Sequence, residues 1–291
     1  MDALLKHRDQ AHQLRQMVTS QDMTPLEDGR DDVGGPHAKL LVVTGGKCGV
    51  GTTTIAVNVA AAMARRGTRV VLVDLDWNRN DVANMCGLEP QMGLADVIEG
   101  TRPITEALQL APAGLRVLGG ANKVGASHAF RQESLERLIA TLRSLGRSAD
   151  CIIADAGCGA TQLARTFWRA ADAVLLVTTP DAVALMDSYA TAKALLDPRR
   201  RPRLQVVVNQ AVHELQAQEV YQRLSQSCGR FLGQRTDWAG FVPLDPALAA
   251  LSAPTRPAIM QSPTLPSSRA LDRVATHLNL PAQRRDETEA A

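Results

Sequence analysis

The sequence predicts an α/β fold, a doubly wound and mostly parallel sheet with helices on both faces. Short apolar runs at residues 40–43, 69–73, 151–154, 173–177 and 204–208 read as strands buried on both sides. Segments with helical spacing lie between them, as at residues 130–146, where Leu135, Leu138, Ile139 and Leu142 fall on one face. The first strand runs directly into a glycine turn and an alanine-rich helix over residues 55–66, the strand–turn–helix order from which parallel sheets are built.

Composition agrees with one α/β domain carrying extensions. The chain has 291 residues, 45% hydrophobic and 21% charged, with a formal charge of +2. That balance supplies no strong field for nucleic acid or membrane, so such a partner must be recognised locally. The five cysteines (Cys48, Cys86, Cys151, Cys158, Cys228) show no paired metal spacing, no charged-then-apolar leader opens the chain, and no apolar segment approaches the roughly 18 residues that span a bilayer. A cytoplasmic location is expected.

The glycine turn carries the chemistry. Gly46, Lys47, Cys48, Gly49, Val50, Gly51, Thr52, Thr53 and Thr54 follow the first strand, and such a turn aims backbone N–H groups and a helix N-terminus at a phosphate. The spacing is nearly the Walker A pattern, but Thr52 stands where the lysine belongs. Lys47 instead follows Gly46, and in this the loop resembles the deviant Walker A of the MinD/ParA branch of P-loop ATPases. The resemblance implies a MinD-like fold, ATP or ADP with Mg²⁺, and a signature lysine, Lys47, that acts across an ATP-dependent homodimer. Cys48 and Thr52 depart from its usual glycine and lysine. Loss of one charge-assisted contact weakens binding on the order of tenfold to 150-fold.

Residues 1–20 read as an amphipathic helix with Leu4, Ala11, Leu14 and Val18 on one side, and residues 21–38 as a flexible linker to a domain at 39–280. Pattern alone leaves two uses for the helix, docking on its own domain or on a partner. Its residues Asp9, Gln10, Ala11, Leu14 and Arg15 are similar to the DQAxxLR motif of the FlhG (FleN/YlxH) flagellar-number regulators of the MinD branch. That resemblance implies binding to an FlhF-like GTPase, with Gln10 near the partner's nucleotide. It also implies further contacts with basal-body or transcriptional proteins, and recruitment to a flagellated pole or membrane.

After the second strand come Asp74 and Asp76, which read either as a solvated turn or as carboxylates beside a phosphate. By resemblance to the MinD switch I, Asp76 positions the attacking water and Asp74 serves Mg²⁺. Asp155, in a DxxxG pattern ending at Gly159, resembles Walker B and switch II, which makes it a Mg²⁺ ligand with Thr53 and sets the Gly159 amide facing the γ-phosphate. Cys158 reads as a small buried residue. Residues 178–190 are close to the FlhG pattern TTPEPTAxxDAYA.

Asn209 closes the strand at 204–208 and reads as a structural cap or, by resemblance, as the adenine-binding residue. The segment 241–245, with Pro243 and Asp245, resembles the loop that covers the base. The basic cluster of Arg199, Arg200, Arg201 and Arg203 fits a helix C-terminus or a DNA-contacting surface. The FlhG-like first helix argues against DNA. The last helix, within residues 267–279, and the polar tail 281–291 present no evident membrane-targeting face. A dehydrogenase is excluded, because the glycine loop lacks the dinucleotide fingerprint. The remaining alternative is an active MinD/ParA-type ATPase for positioning or DNA partition.

Overall fold

The computed structural model describes residues 37–76, 80–89, 93–120, 130–197, 201–251 and 256–278. Of the chain's two units, Met1–Gly35 falls outside the described residues, and with it the motif at residues 9–15. The other unit, Pro36–Ala291, contains the sheet and the glycine loop.

Its first half runs β1 (Lys39–Gly45), α1 (Thr52–Arg65), β2 (Val70–Asp74), α2 (Asp81–Met85), α3 (Leu94–Ile98), α4 (Ile104–Ala107), β3 (Gln109–Leu110) and β4 (Arg116–Leu118). The second half continues with α5 (Gln132–Arg143), β5 (Cys151–Cys158), α6 (Gln162–Ala170), β6 (Ala173–Thr178), α7 (Ala182–Leu195), β7 (Arg203–Ala211), α8 (Glu214–Ser227) and β8 (Thr236–Pro243). Helices α9 (Pro246–Ala249), α10 (Ala258–Gln261) and α11 (Pro266–His277) close the domain.

The strands form one sheet in the order β3-β4-β2-β5-β1-β6-β7-β8. Every neighbouring pair is parallel except β3 and β4. Strand β1 lies between β5 and β6, so the loop that leaves it opens at the middle of the sheet's carboxyl edge. Because side chains alternate across a strand, Leu41, Val43, Leu72 and Ile153 pack with Ile55 and Val59 of α1 and with Leu271 and Val274 of α11. Leu40, Val42, Val71 and Ile152 face the other way, against Leu135, Leu138, Phe167, Trp168 and Leu224. Both faces are thus covered, as the unbroken apolar runs require. Among the described residues no helix is long and apolar enough to cross a membrane.

Two strands differ from the sequence reading. The strand β3 is too short to leave a pattern. Strand β8 reads Thr-Asp-Trp-Ala-Gly-Phe-Val-Pro and is only half-buried at the sheet's edge, with a register break beside Gly240. Residues 241–243 therefore complete a strand instead of forming a loop, and Leu244 and Asp245 alone follow it before α9.

Candidate functional site

Strand β1 delivers the glycine loop and α1 receives it. Gly51 caps α1 in the left-handed conformation, φ 89°, with no side-chain cap and no acidic residue in the first turn. The first N–H groups of this 14-residue helix therefore face the loop with their positive dipole end uncompensated, which suits an anion. Two glycines allow close approach. A Cβ on Gly46 would lie 2.2 Å from the backbone nitrogen of Ser188 in α7, and one on Gly51 would lie 2.4 Å from Asn209 Nδ2.

Thr52 is buried, and its hydroxyl occupies the space beside Gly45, 2.4 Å from where a Cβ there would sit. It fills the root of the loop and offers no cation. Lys47 is exposed at the loop's outer limb, its Nζ 3.2 Å from Asp181 Oδ2. Asp181 also caps α7, accepting from the amides of Val183 and Ala184. The Lys47 hydrogen bond, with those amides, holds the Asp181 carboxyl below its ordinary pKa.

Asp74 ends β2 and is the register partner of Asp155, which lies within β5, and both are buried. Asp74 Oδ1 accepts from the Asp76 amide at 3.0 Å, and Asp155 Oδ1 from the Gly157 amide at 3.1 Å. The Oδ2 atom of each has no hydrogen-bond partner. Burial raises Asp74 well above the usual carboxylate range, and the Asp155 charge adds to it. Burial likewise pushes Asp155 up to about 6, against the opposing pull of the Thr53 hydroxyl and the Gly157 amide. Two orphaned carboxylate oxygens beside a threonine hydroxyl form a donor set that fits Mg²⁺. Among the described residues no three or more His, Cys, Asp or Glu side chains gather as a metal cluster. The remaining coordination would therefore come from water and phosphate, as Mg²⁺ prefers.

Two cavities flank the loop. One of about 660 Å³ is lined by Cys48, Gly49, Thr52, Thr53, Asp76 and Gly157, among others. The second, of about 830 Å³, lies between Gly51, Thr54, Asn209, Pro243 and Asp245 and the apolar side chains Met85, Leu88, Leu244 and Leu248. An apolar wall with a few polar groups suits a heterocyclic base. Asn209 Nδ2 donates to the Val50 carbonyl at 2.8 Å, so the side chain braces the loop from β7. Asp245 caps α9 and accepts from the Ser267 hydroxyl at 2.7 Å; that bond depresses its pKa and ties the segment after β8 to α11.

The sequence-predicted residues from Gly46 to Thr54 thus converge with Asp74, Asp76, Asp155, Asn209, Pro243 and Asp245 at one edge of the sheet. Gly159, φ 87°, donates its amide to the Gly45 carbonyl at 3.4 Å. Arg201 and Arg203 are used internally, on the Gly233 carbonyl and on Asp237, while Arg199 and Arg200 lie outside the described residues. Cys158, expected as a small buried residue, is half-buried and disulfide-bonded to Cys48. The sequence reading missed that pairing, the role of Asp181, and Gln210. Gln210 is a non-glycine residue at φ 58° on the rim of both cavities. Only the Thr-Thr-Pro-Asp stretch could have pointed to Asp181.

A family model described as ParA, NUBPL iron-transfer P-loop NTPase, matches residues 37–279. The antiactivator FleN of Pseudomonas aeruginosa is 30% identical over 254 residues, 86% of this chain and 91% of FleN. The flagellum site-determining protein YlxH of Helicobacter pylori is 25% identical over 189 residues, 65% of this chain and 63% of YlxH. Among solved structures, the MinD of Pyrococcus horikoshii complexed with Mg-ADP superposes with a TM-score of 0.71 at 20% identity, covering 83% of this chain and 96% of that one. The fold, the loop at the sheet's carboxyl edge and these similarities agree: the chain belongs to the MinD/ParA-type P-loop NTPases, with the FlhG (FleN/YlxH) regulators.

Proposed function

We propose that the chain is an FlhG-like regulator of flagellar number or placement that binds Mg-ATP or Mg-ADP weakly and hydrolyses ATP slowly or not at all. It acts mainly through residues 1–20 on an FlhF-like GTPase. The observation that carries the reading is Thr52, a neutral residue buried under the loop where the family's pattern has a lysine. Backbone amides at the start of α1, the Thr53 hydroxyl and the carboxylates of Asp74 and Asp155 do not depend on that lysine, so binding survives in reduced form. In this reading Asn209 accepts from an adenine amino group, Asp76 orients water, and Lys47 serves the second subunit of an ATP-dependent dimer. Contacts with basal-body or transcriptional proteins and recruitment to the pole belong to the same reading.

Calorimetry and turnover with Mg-ATP, on wild type and Thr52→Lys, test it. The expected result is weak binding by the wild type, tightened on the order of tenfold or more by the lysine, with turnover appearing only in the variant. Equal binding and turnover in both proteins would sink the idea and favour an active MinD/ParA-type ATPase.

A further inference from the structure

The structure joins two cysteines that lie 110 residues apart, one in each of the segments that border the loop-side cavity. Cys48 sits on the exposed limb of the glycine loop and Cys158 ends β5, and their Cα atoms are 5.2 Å apart, within bridging range. Around them the backbone is already paired: Gly45 is the register partner of Cys158, and the Gly159 amide donates to the Gly45 carbonyl. The pair is also selective. The other cysteines, Cys86, Cys151 and Cys228, are buried, and burial pushes their thiols up to about 12, 12 and 11. Thiolates are the reactive form, so oxidation is confined to the two that reach the cavity.

We propose that Cys48 and Cys158 are a reversible redox pair whose closure excludes the terminal phosphate of ATP while leaving ADP bound. The inference rests on the nucleotide reading above. The first two phosphates would lie on amides of the loop itself, which the bond leaves in place. A third must enter between the loop and the segment from Gly157 to Gly159, and the disulfide ties these together with the Gly159 amide held on Gly45. Opening the bond lets the two segments part and frees that amide.

A low-molecular-weight disulfide is the oxidant. The Cys48 thiolate attacks one of its sulfurs and expels a thiolate, giving a mixed disulfide. The Cys158 thiolate then attacks the Cys48 sulfur and expels the second. Two cysteine thiols lose two electrons and two protons, and the oxidant becomes two thiols. A dithiol reverses the exchange.

The test uses the full chain, oxidised with glutathione disulfide or reduced with dithiothreitol. Peptide mapping reads the bond, and calorimetry reads Mg-ADP and a non-hydrolysable Mg-ATP analogue. The expected result is a Cys48–Cys158 cross-linked peptide, with affinity for the ATP analogue lower by about tenfold or more on oxidation while ADP affinity changes less than about threefold. Reduction restores the analogue, and Cys158→Ser does not respond to the oxidant. A map without the cross-link overturns the proposal, and so does a cross-linked protein with an unchanged ratio of the two affinities. If neither nucleotide binds in either form, the nucleotide reading itself falls and takes the switch with it. The peptide map still reports the bond, which tells that failure apart from the others.

Discussion

Lys47 Nζ and Asp181 Oδ2 stand 3.2 Å apart, joining the outer limb of the glycine loop to the N-terminus of α7. Their side chains are 45% and 48% exposed, so solvent screens the pair and it adds little to stability. On the proposed reading of Lys47 as a residue that acts across a dimer, the pair holds the lysine back on its own chain. Asp181→Asn retains the helix cap and removes the charge, because asparagine caps as well as aspartate. The expected outcome is an unchanged melting midpoint with a severalfold tighter nucleotide-dependent dimer by analytical ultracentrifugation. Asp181→Ala also loses the cap and should melt lower by about 2–4 °C.

Asp155 titrates at about 6 in the fold, against an ordinary carboxylate value of 3.8. Between those values the folded chain holds more protons than the unfolded one. The stability contributed by this group is therefore present in full below about 3.8 and is lost as the pH rises through about 6. Urea unfolding of the apo protein from pH 4.5 to 7.5 should show that decline, and Asp155→Asn should make it shallower, leaving the share that belongs to the likewise raised Asp74. Mg-ADP, by neutralising the carboxylates, should raise the melting midpoint more at pH 7.5 than at pH 5.5, and chelating the metal should erase the difference. A decline of the same slope in Asp155→Asn would place its origin elsewhere.

Gln10 is proposed to act in the partner's GTP site. The full chain should accelerate GTP hydrolysis by a cognate FlhF-like GTPase, and Gln10→Ala should abolish the acceleration while leaving the circular-dichroism melt unchanged. Equal stimulation by wild type and variant would remove Gln10 from the mechanism.

Gly46→Ala should be costly for a reason unrelated to chemistry. Its Cβ would meet the Ser188 amide nitrogen at 2.2 Å, a helix backbone that cannot turn aside as a side chain would. Overpacking of this kind costs about 1–3 kcal/mol, read as a melting midpoint several degrees lower. Gly49 has open space around its Cβ position, but φ 89°, so Gly49→Ala tests backbone strain without a clash.

Much of this architecture is legible because buried parallel strands write themselves as apolar runs. Leu40 to Val43 and Cys151 to Ala154 each read as a buried strand, and each is one in the sheet. Strand β8 is not legible, since an edge strand that exposes Asp237 and bends at Gly240 has neither an apolar run nor clean alternation. In the site, the glycine loop and the aspartates that follow the apolar runs at 69–73 and 151–154 are read from local order. Cys48 with Cys158, and Lys47 with Asp181, are separated by 110 and 134 residues. Only the strand order brings them together, and spacing in the sequence carries no trace of it. Gln210 is hidden for another reason: nothing in its neighbours announces a left-handed backbone beside Asn209.

The bond from Ser267 to Asp245 gives α11 a place in the site that its position near the chain's end conceals. The same helix packs on α1, and the Asn58 side chain of α1 accepts from the Ile259 amide just before it. Shortening the protein to a point before Pro266 would therefore unseat both the Leu244 and Asp245 wall of the larger cavity and the helix α1 that follows the glycine loop. Removing residues 281–291 touches neither of these contacts. A deletion series from the carboxyl end should accordingly behave as a step, with nucleotide affinity and folding lost together at α11.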